Sequence, residues 1–315
     1  MIDDLFFIIN TVFPVFLLVI VGIILKWKNI VDDNFVKITS QFVFMVSLPV
    51  LIFLKLYNVD LESTIDVKMI TVVIGGIFIM YAISLFIAKR FKLKPENEGV
   101  FIQGSFRNND AIVGLAIILR MFGTDALSKA SFLLLFALPL YNLLGVISLT
   151  LPHRLSKNIN LKKTVIEILA NPFMISIILA IPFSVFQIEL HGTIETTGNY
   201  IAQISLPLAL IGIGSSINIK SIKEASGLAF GAPVLKNIVS PLVVISLCFM
   251  LDIFGQDLGI LFIIFSAPTA IASFIMASSM KGNLKLAGNI VIISTLGSIF
   301  TMTFGLFCLR YFRII

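Results

Sequence analysis

Ten long apolar segments limit what this chain can fold into. A helix of about 20 residues crosses a bilayer core of about 30 Å, and each segment is long enough to do so. Only 13% of the residues are charged, against roughly a quarter in soluble domains. We therefore predict an all-α membrane protein with ten transmembrane helices, and no cleaved signal peptide before the first. We number them spans 1 to 10: 5–25, 36–56, 69–88, 98–121, 127–150, 164–187, 197–218, 227–251, 257–280 and 286–309.

Lysine and arginine residues are distributed unequally between the two sets of loops. Fifteen follow the odd-numbered spans, and six lie on the opposite side. Positively charged loops stay in the cytoplasm, so we predict a multi-pass protein of the cell membrane with both termini outside the cytoplasm. This topology also explains the net charge of +6, and we expect no nucleic-acid partner.

Short sequence motifs recur at a spacing of 158 or 159 residues. We therefore predict two halves of five spans each, 1–156 and 157–315. Because five is odd, the second half enters the bilayer from the opposite side and the repeat is inverted. The matching motifs are Ser-Leu-Pro at 47–49 and 205–207, Pro14 and Pro172, and Asp-Ala-Ile at 110–112 with Thr-Ala-Ile at 269–271.

Span 4 carries charged and amide side chains at membrane depth, namely Arg107, Asn108, Asn109 and Asp110. An ionisable residue at the centre of a membrane helix costs at least about 2.5–3.5 kcal/mol, so such residues indicate a functional site. The alternative is a structural ion pair, in which Arg107 and Asp110 neutralise each other and fasten the bundle.

Span 9 offers a matching polar face. Ser266, Thr269 and Ser273 share one side of the predicted helix, and Pro268 among them lacks a backbone donor. An inverted repeat brings matched spans together near the midplane, where transporters build sites from interrupted helices. We therefore predict that spans 4 and 9 meet at a substrate site; an ordinary kink at Pro268 is the alternative.

Two further polar residues lie within predicted spans, Lys236 in span 8 and Asn142 in span 5. Each is a candidate to face the substrate site, with a structural role as the alternative. The sequence contains no nucleotide-binding, metalloprotease, serine-hydrolase or C-x-x-C motif, so we predict no enzyme, no cofactor and no metal centre.

Several segments together resemble the auxin efflux carrier family, which includes plant auxin carriers and bacterial and archaeal permeases for malonate or malate. The resemblance covers the whole chain. The segments are NTVFPVFLLVIVGIILK, VSLPVLIF, QGSFRNNDAIVGLAI, ANPF, ISLPLALIGIGSSI, LKNIVSPLVV and SAPTAIASFIMA.

This resemblance implies the ten-helix fold of bile-acid symporters and sodium/proton antiporters, with spans 4 and 9 crossed and broken. It implies a scaffold of spans 1, 2, 6 and 7, a transport domain of spans 3–5 and 8–10, and a homodimer formed through the scaffold. Relatives usually have Gly-x-Pro in span 4, whereas this chain has Gly114-Leu115-Ala116. The break in span 4 is therefore expected at Asn108, Asn109 and Asp110.

Three functions fit these features. The first is a secondary carrier of a small organic anion such as a carboxylate, working by rocking or elevator-like movement. In it Arg107 or Lys236 is the counter-ion, and Asn109 and Thr269 are hydrogen-bond partners. The second couples transport to Na⁺ or H⁺ through a cation site at Asp110. The third is a non-transporting membrane sensor that binds its ligand at the same crossover.

Overall fold

The computed structural model describes residues 2–57, 66–150, 152, 166, 170, 172–216, 226–280 and 282–315. Within these ranges the regular structure is helical, apart from one β-bridge. The helices are α1 (Ile2–Trp27), α2 (Asp33–Phe42), α3 (Leu48–Leu56), α4 (Val67–Arg90), α5 (Pro95–Phe106), α6 (Leu115–Thr150), α7 (Pro172–Val185), α8 (Gly192–Gln203), α9 (Ser205–Ser216), α10 (Gly227–Val234), α11 (Ser240–Met250), α12 (Gly255–Ser266), α13 (Ile271–Ser279) and α14 (Leu284–Tyr311).

Three π-helical turns modify these helices. Val43–Ser47 joins α2 to α3, Asp110–Gly114 leads into α6, and Leu235–Val239 joins α10 to α11. A π-helical turn widens the helix locally and is frequent at functional sites. Two of the three turns carry residues predicted for the substrate site.

Four helical stretches in the described part of the chain are long and apolar enough to cross a bilayer by length and composition. They are Val67–Arg90, Asp110–Thr150, Gly227–Met250 and Leu284–Tyr311. Shorter apolar helices occur at Val12–Trp27, Val43–Leu56, Ile175–Val185 and Gly255–Ser266. The protein is therefore an all-α, multi-pass membrane protein.

Two predicted boundaries can be compared with the structure. Two helices meet at Gly123 within the range of α6, where a positive φ of 82°, accessible to glycine, separates predicted spans 4 and 5. Predicted span 7 starts inside α8, and the chain continues into α9 after a break at Ile204. The first residues of span 6 and the 156/157 boundary between the halves lie outside the described residues.

Close backbone contact joins α1 to α9. A Cβ atom on Gly214 would lie 1.9 Å from the carbonyl oxygen of Val19, and one on Gly22 would lie 2.2 Å from that of Ile211. Glycine permits this approach because it has no side chain. α3 packs against α7, whereas α4, α5, α6, α11 and α12 pack mainly among themselves, and α14 packs mostly against α10 and α1.

Helix bounds recur at a constant spacing along the chain. α4 covers Val67–Arg90, and the continuous helix from α10 to α11 covers Gly227–Met250, 160 residues later at both ends. α5 and α12 are likewise 160 residues apart at both ends, at Pro95–Phe106 and Gly255–Ser266. Helices of equal length therefore follow each other in the same order in both parts of the chain.

Candidate functional site

The helix predicted as span 4 is interrupted after Phe106. Arg107 has extended backbone angles (φ −83°, ψ 119°), Asn109 lies outside the helical region (φ −91°, ψ 52°), and the helix resumes at Asp110. The Oδ1 atom of Asp110 accepts a hydrogen bond from the amide of Ala111 at 2.9 Å. The interruption therefore forms at the Asn-Asn-Asp sequence without a proline, as the sequence predicts.

The helix predicted as span 9 is interrupted after Ser266. Ala267 and Ala270 have extended ψ angles of 144° and 136°, and the helix resumes at Ile271. Pro268 lies between them and has no N–H group with which to continue the helix. Four residues, 267–270, leave the helical path, so this interruption is larger than the kink that a proline alone produces.

The two interruptions meet as a short antiparallel pair. Asn108 forms a β-bridge with Thr269; the amide of Asn109 donates to the carbonyl of Pro268 at 2.8 Å, and the amide of Ala270 donates to the carbonyl of Arg107 at 3.2 Å. These two bonds are related by a local two-fold axis that pairs Asn108 with Thr269. The sequence motifs instead align Asp110 with Thr269, two residues away from this spatial pairing.

Side chains from neighbouring segments satisfy backbone carbonyls that the interruptions release. In a continuous helix, each carbonyl accepts from the amide four residues later. Here the carbonyl of Gly104 accepts from the Thr269 hydroxyl at 2.6 Å. The carbonyl of Phe265 accepts from the Lys236 Nζ atom at 2.7 Å and from the Ser240 hydroxyl at 3.0 Å. Irregular backbone is thereby tolerated at membrane depth.

The guanidinium group of Arg107 is held by neutral acceptors. Its Nη2 atom donates to the Oδ1 atom of Asn142 at 2.8 Å, and its Nη1 atom contacts the sulfur of Met276 at 2.6 Å. Gly145 leaves room for this arrangement, because a Cβ atom there would lie 3.3 Å from Nη1 of Arg107. Among the described residues Arg107 and Asp110 form no salt bridge. The structural ion pair considered as an alternative is therefore not formed.

Three charged side chains are buried around the crossover. Lys236 is 0% exposed, Asp110 is 2% exposed and Arg107 is 7% exposed. Both cations lie within electrostatic range of Asp110. Two basic side chains and one acidic side chain therefore lie in a region from which bulk water is largely excluded.

Several buried polar atoms at the crossover have no hydrogen-bond partner in the described part of the protein. They include the Oδ2 atom of Asp110, both amide atoms of Asn108, and the hydroxyls of Ser266 and Ser273. Buried polar groups are nearly always paired, so each unpaired group needs a reason. A polar ligand that binds between spans 4 and 9 would provide one.

The structure thus brings together most of the predicted site residues. Arg107, Asn108, Asn109 and Asp110 meet Pro268 and Thr269 at the paired interruptions. Asn142 of α6 accepts from Arg107, and Lys236 donates to the carbonyl of Phe265 beside the second interruption. Ser266 and Ser273 are buried on either side of the span 9 break, and their hydroxyls contact no described acceptor.

Sequence reasoning missed three residues that shape this region, Ser240, Met276 and Ser294. Ser240 follows Lys236 by four residues, so helical spacing alone could have indicated that both reach the same carbonyl. The Ser294 hydroxyl accepts from the amide of Thr269 at 3.1 Å. Neither this contact nor that of the Met276 sulfur has a local signal in the sequence.

No group of three or more His, Cys, Asp or Glu side chains that could hold a metal ion occurs among the described residues.

Comparison with known proteins identifies similar chains. The sequence profile of a family described as membrane transport protein matches residues 7–158 and, in a second match, residues 152–306. An uncharacterized transporter of Methanocaldococcus jannaschii is 27% identical over 293 residues, which cover 91% of this chain and 94% of that protein. An uncharacterized transporter of Methanothermobacter thermautotrophicus is 22% identical over 295 residues, covering 93% and 95%.

Proposed function

We propose that this chain, which belongs to the membrane transport protein family, is a secondary carrier of a small organic anion. The family is that of the auxin efflux carriers, and its members are transporters and not enzymes. A small-molecule substrate and a lipid bilayer are therefore its partners. The proposal adds a substrate class, a carboxylate of the malonate, malate or auxin type, and a binding site at the crossover.

The proposal rests on the hydrogen-bond partners of Arg107. Its guanidinium is buried and held by an amide oxygen and a thioether, neither of which is charged. A carboxylate accepts two parallel charge-assisted hydrogen bonds from a guanidinium, and such bonds are about twice as strong as neutral ones. A substrate carboxylate would therefore compete well for Arg107.

The backbone around the crossover supports the same substrate class. Helical segments begin there at Asp110 and Ile271, and the N-terminal ends of helices carry partial positive charge and free N–H groups. The unpaired side-chain amide of Asn108 offers both a donor and an acceptor to a ligand. Asn109 and Thr269 hold the paired backbone beside it.

We further propose ten spans in two inverted halves, 1–156 and 157–315, with both termini outside the cytoplasm. The 160-residue recurrence of helix bounds and the two matched segments of the family profile support the two halves. The close packing of α1 on α9 and of α3 on α7 supports a scaffold of spans 1, 2, 6 and 7. Spans 3–5 and 8–10 would move against it, with a homodimer formed through the scaffold.

Counterflow in proteoliposomes tests the substrate site. Vesicles loaded with unlabelled malonate or malate are assayed for uptake of the labelled compound, first with the parent chain and then with Arg107→Ala. Loss of a charged hydrogen bond costs about 1.5–3 kcal/mol, so we expect an apparent affinity about 10- to 100-fold weaker. Arg107→Lys keeps the charge but loses the planar pair of donors, so its apparent affinity should lie between those of the parent and Arg107→Ala.

Arg90→Ala is the matched control, because Arg90 is exposed at the end of α4. It should transport like the parent. Equal transport by a well-folded Arg107→Ala variant would remove Arg107 from the site. Binding of the carboxylate without any flux by the parent would favour the sensor hypothesis instead.

Asp110 favours a second candidate, in which transport is coupled to a cation. Its Oδ2 atom is buried and has no partner in the described part of the protein, so a proton or a metal cation could occupy it. Flux under an imposed pH or Na⁺ gradient tests this candidate, with Asp110→Asn as the variant that should lose the response. Flux that ignores both gradients would reject it.

A further inference from the structure

The carbonyl of Phe265 is the best candidate for a cation site outside the proposed substrate contacts. It lies in the last turn of α12, where a helix carries partial negative charge. Its usual partner in a continuous helix, the amide of Thr269, donates to Ser294 instead. The Lys236 ammonium and the Ser240 hydroxyl take that place at 2.7 and 3.0 Å.

The acceptor of the Lys236 ammonium is of a type that binds hard cations. It is the carbonyl of Phe265, which also accepts from the Ser240 hydroxyl. Carboxylate, carbonyl and hydroxyl oxygens are the ligands that hard cations prefer. In transporters with interrupted helices, the free carbonyls at such helix ends coordinate Na⁺.

Lys236 reaches the Phe265 carbonyl from a π-helical turn. It lies within the π-helical turn Leu235–Val239 between α10 and α11, and it is 0% exposed. It forms no salt bridge with a carboxylate among the described residues, and its ammonium donates to the carbonyl at the end of α12. A cation is therefore built into the chain at the interruption of span 9.

We propose that the Lys236 ammonium is a tethered cation that replaces a coupling Na⁺ on the Phe265 carbonyl, so that this carrier works without sodium. Removal of the ammonium would then leave the Phe265 carbonyl, beside the Ser240 hydroxyl, open to a free cation. The statement about flux rests on the proposed carrier function. The statement about cation binding does not, because it concerns the purified protein without substrate.

Thermal unfolding of the purified protein tests the proposal. The melting temperature of the parent should be equal in sodium chloride and in choline chloride of the same ionic strength. Lys236→Ala should melt several degrees lower in choline chloride, because an acceptor and a helix end lose their cation. Sodium chloride, or ethylammonium chloride as a free substitute for the side chain, should recover at least half of the loss by mass action on the native state.

Lys28→Ala is the matched control, since Lys28 is exposed just after α1 and should show no response to either cation. A parent that is stabilised by sodium, or a Lys236→Ala variant that melts like the parent in choline, would overturn the proposal. If Lys236→Ala cannot be purified, Lys236→Gln replaces it, because its amide keeps one donor but no charge. Sodium must still raise the melting temperature of that variant, and indifference to sodium overturns the proposal. Absence of malonate or malate flux would reject the substrate class without affecting these results.

Discussion

Replacing Thr269 with valine removes one oxygen atom from the crossover and changes little else. The Thr269 hydroxyl donates to the carbonyl of Gly104 at 2.6 Å, and Thr269 is 1% exposed. Valine has nearly the same shape and the same preference for extended backbone, so the β-bridge to Asn108 can persist. The carbonyl of Gly104 would then be buried without this donor.

The size of the effect follows from that single lost bond. Leaving a buried acceptor unpaired costs about 1–3 kcal/mol, whereas hydrogen bonds between membrane helices average about 0.6 kcal/mol and reach about 1.7 kcal/mol. The Gly104 bond is buried and joins two interrupted segments, so we expect a value near 1–2 kcal/mol. With an unfolding entropy of about 2.1 cal/mol/K per residue, this lowers the melting temperature of a 315-residue chain by about 1.5–3 °C.

The assay compares the melting temperatures of the parent, Thr269→Val and Thr269→Ser in detergent. Serine keeps the hydroxyl and should stay within about 1 kcal/mol of the parent, because it loses only a buried methyl group. Valine should melt clearly below serine. If Thr269→Val is as stable as the parent, the hydroxyl does not hold the two interruptions together and the reasoning is refuted.

Two glycine substitutions test packing in the scaffold and at the site. Gly214→Ala should destabilise the protein by about 1–3 kcal/mol or more, because the new Cβ atom would lie 1.9 Å from a backbone oxygen of Val19. Gly75→Ala is the control, because a Cβ atom there would have no atom within 4 Å. Equal melting temperatures for the two variants would contradict the contact. Gly145→Ala should displace the side chains of Gln103 and Arg107, because the new Cβ atom would lie 2.6 Å from Nε2 of Gln103 and 3.3 Å from Nη1 of Arg107. Counterflow should then show an apparent KM about 3- to 10-fold higher at little cost in stability, because a charged hydrogen bond is weakened without being lost. An unchanged KM would argue against Arg107 as a substrate ligand.

Local chemistry explains which parts of this fold could be predicted from the sequence. Apolar segments long enough to span, a proline in span 9 and an Asn-Asn-Asp run in span 4 are all visible in the sequence. Each acts on the backbone beside it, since proline removes a donor and amide or carboxylate side chains compete for backbone bonds. The interruption in span 4 lies at 107–109, one residue before the predicted 108–110, and the interruption in span 9 lies around Pro268 as predicted.

Contacts between distant segments could not be predicted in the same way. Asn108 pairs with Thr269 because residues 107–109 and 268–270 form backbone hydrogen bonds with each other. The similarity between two tripeptides in the sequence contains no information about these bonds. The sulfur of Met276 beside Arg107 depends on how α13 is oriented once span 9 is broken.

The hydrogen bonds at the crossover also bear on how a carrier can work there. An alternating-access carrier must be stable both with its substrate and without it. At this crossover the carbonyls of Gly104 and Phe265 are capped by Thr269 and Lys236, and the paired peptides bond to each other. A substrate therefore need not satisfy these backbone groups and would interact with side chains such as Arg107. Binding and release can then alter side-chain contacts while the interrupted helices keep their backbone hydrogen bonds. A carrier needs this stability when it returns to its starting conformation without substrate.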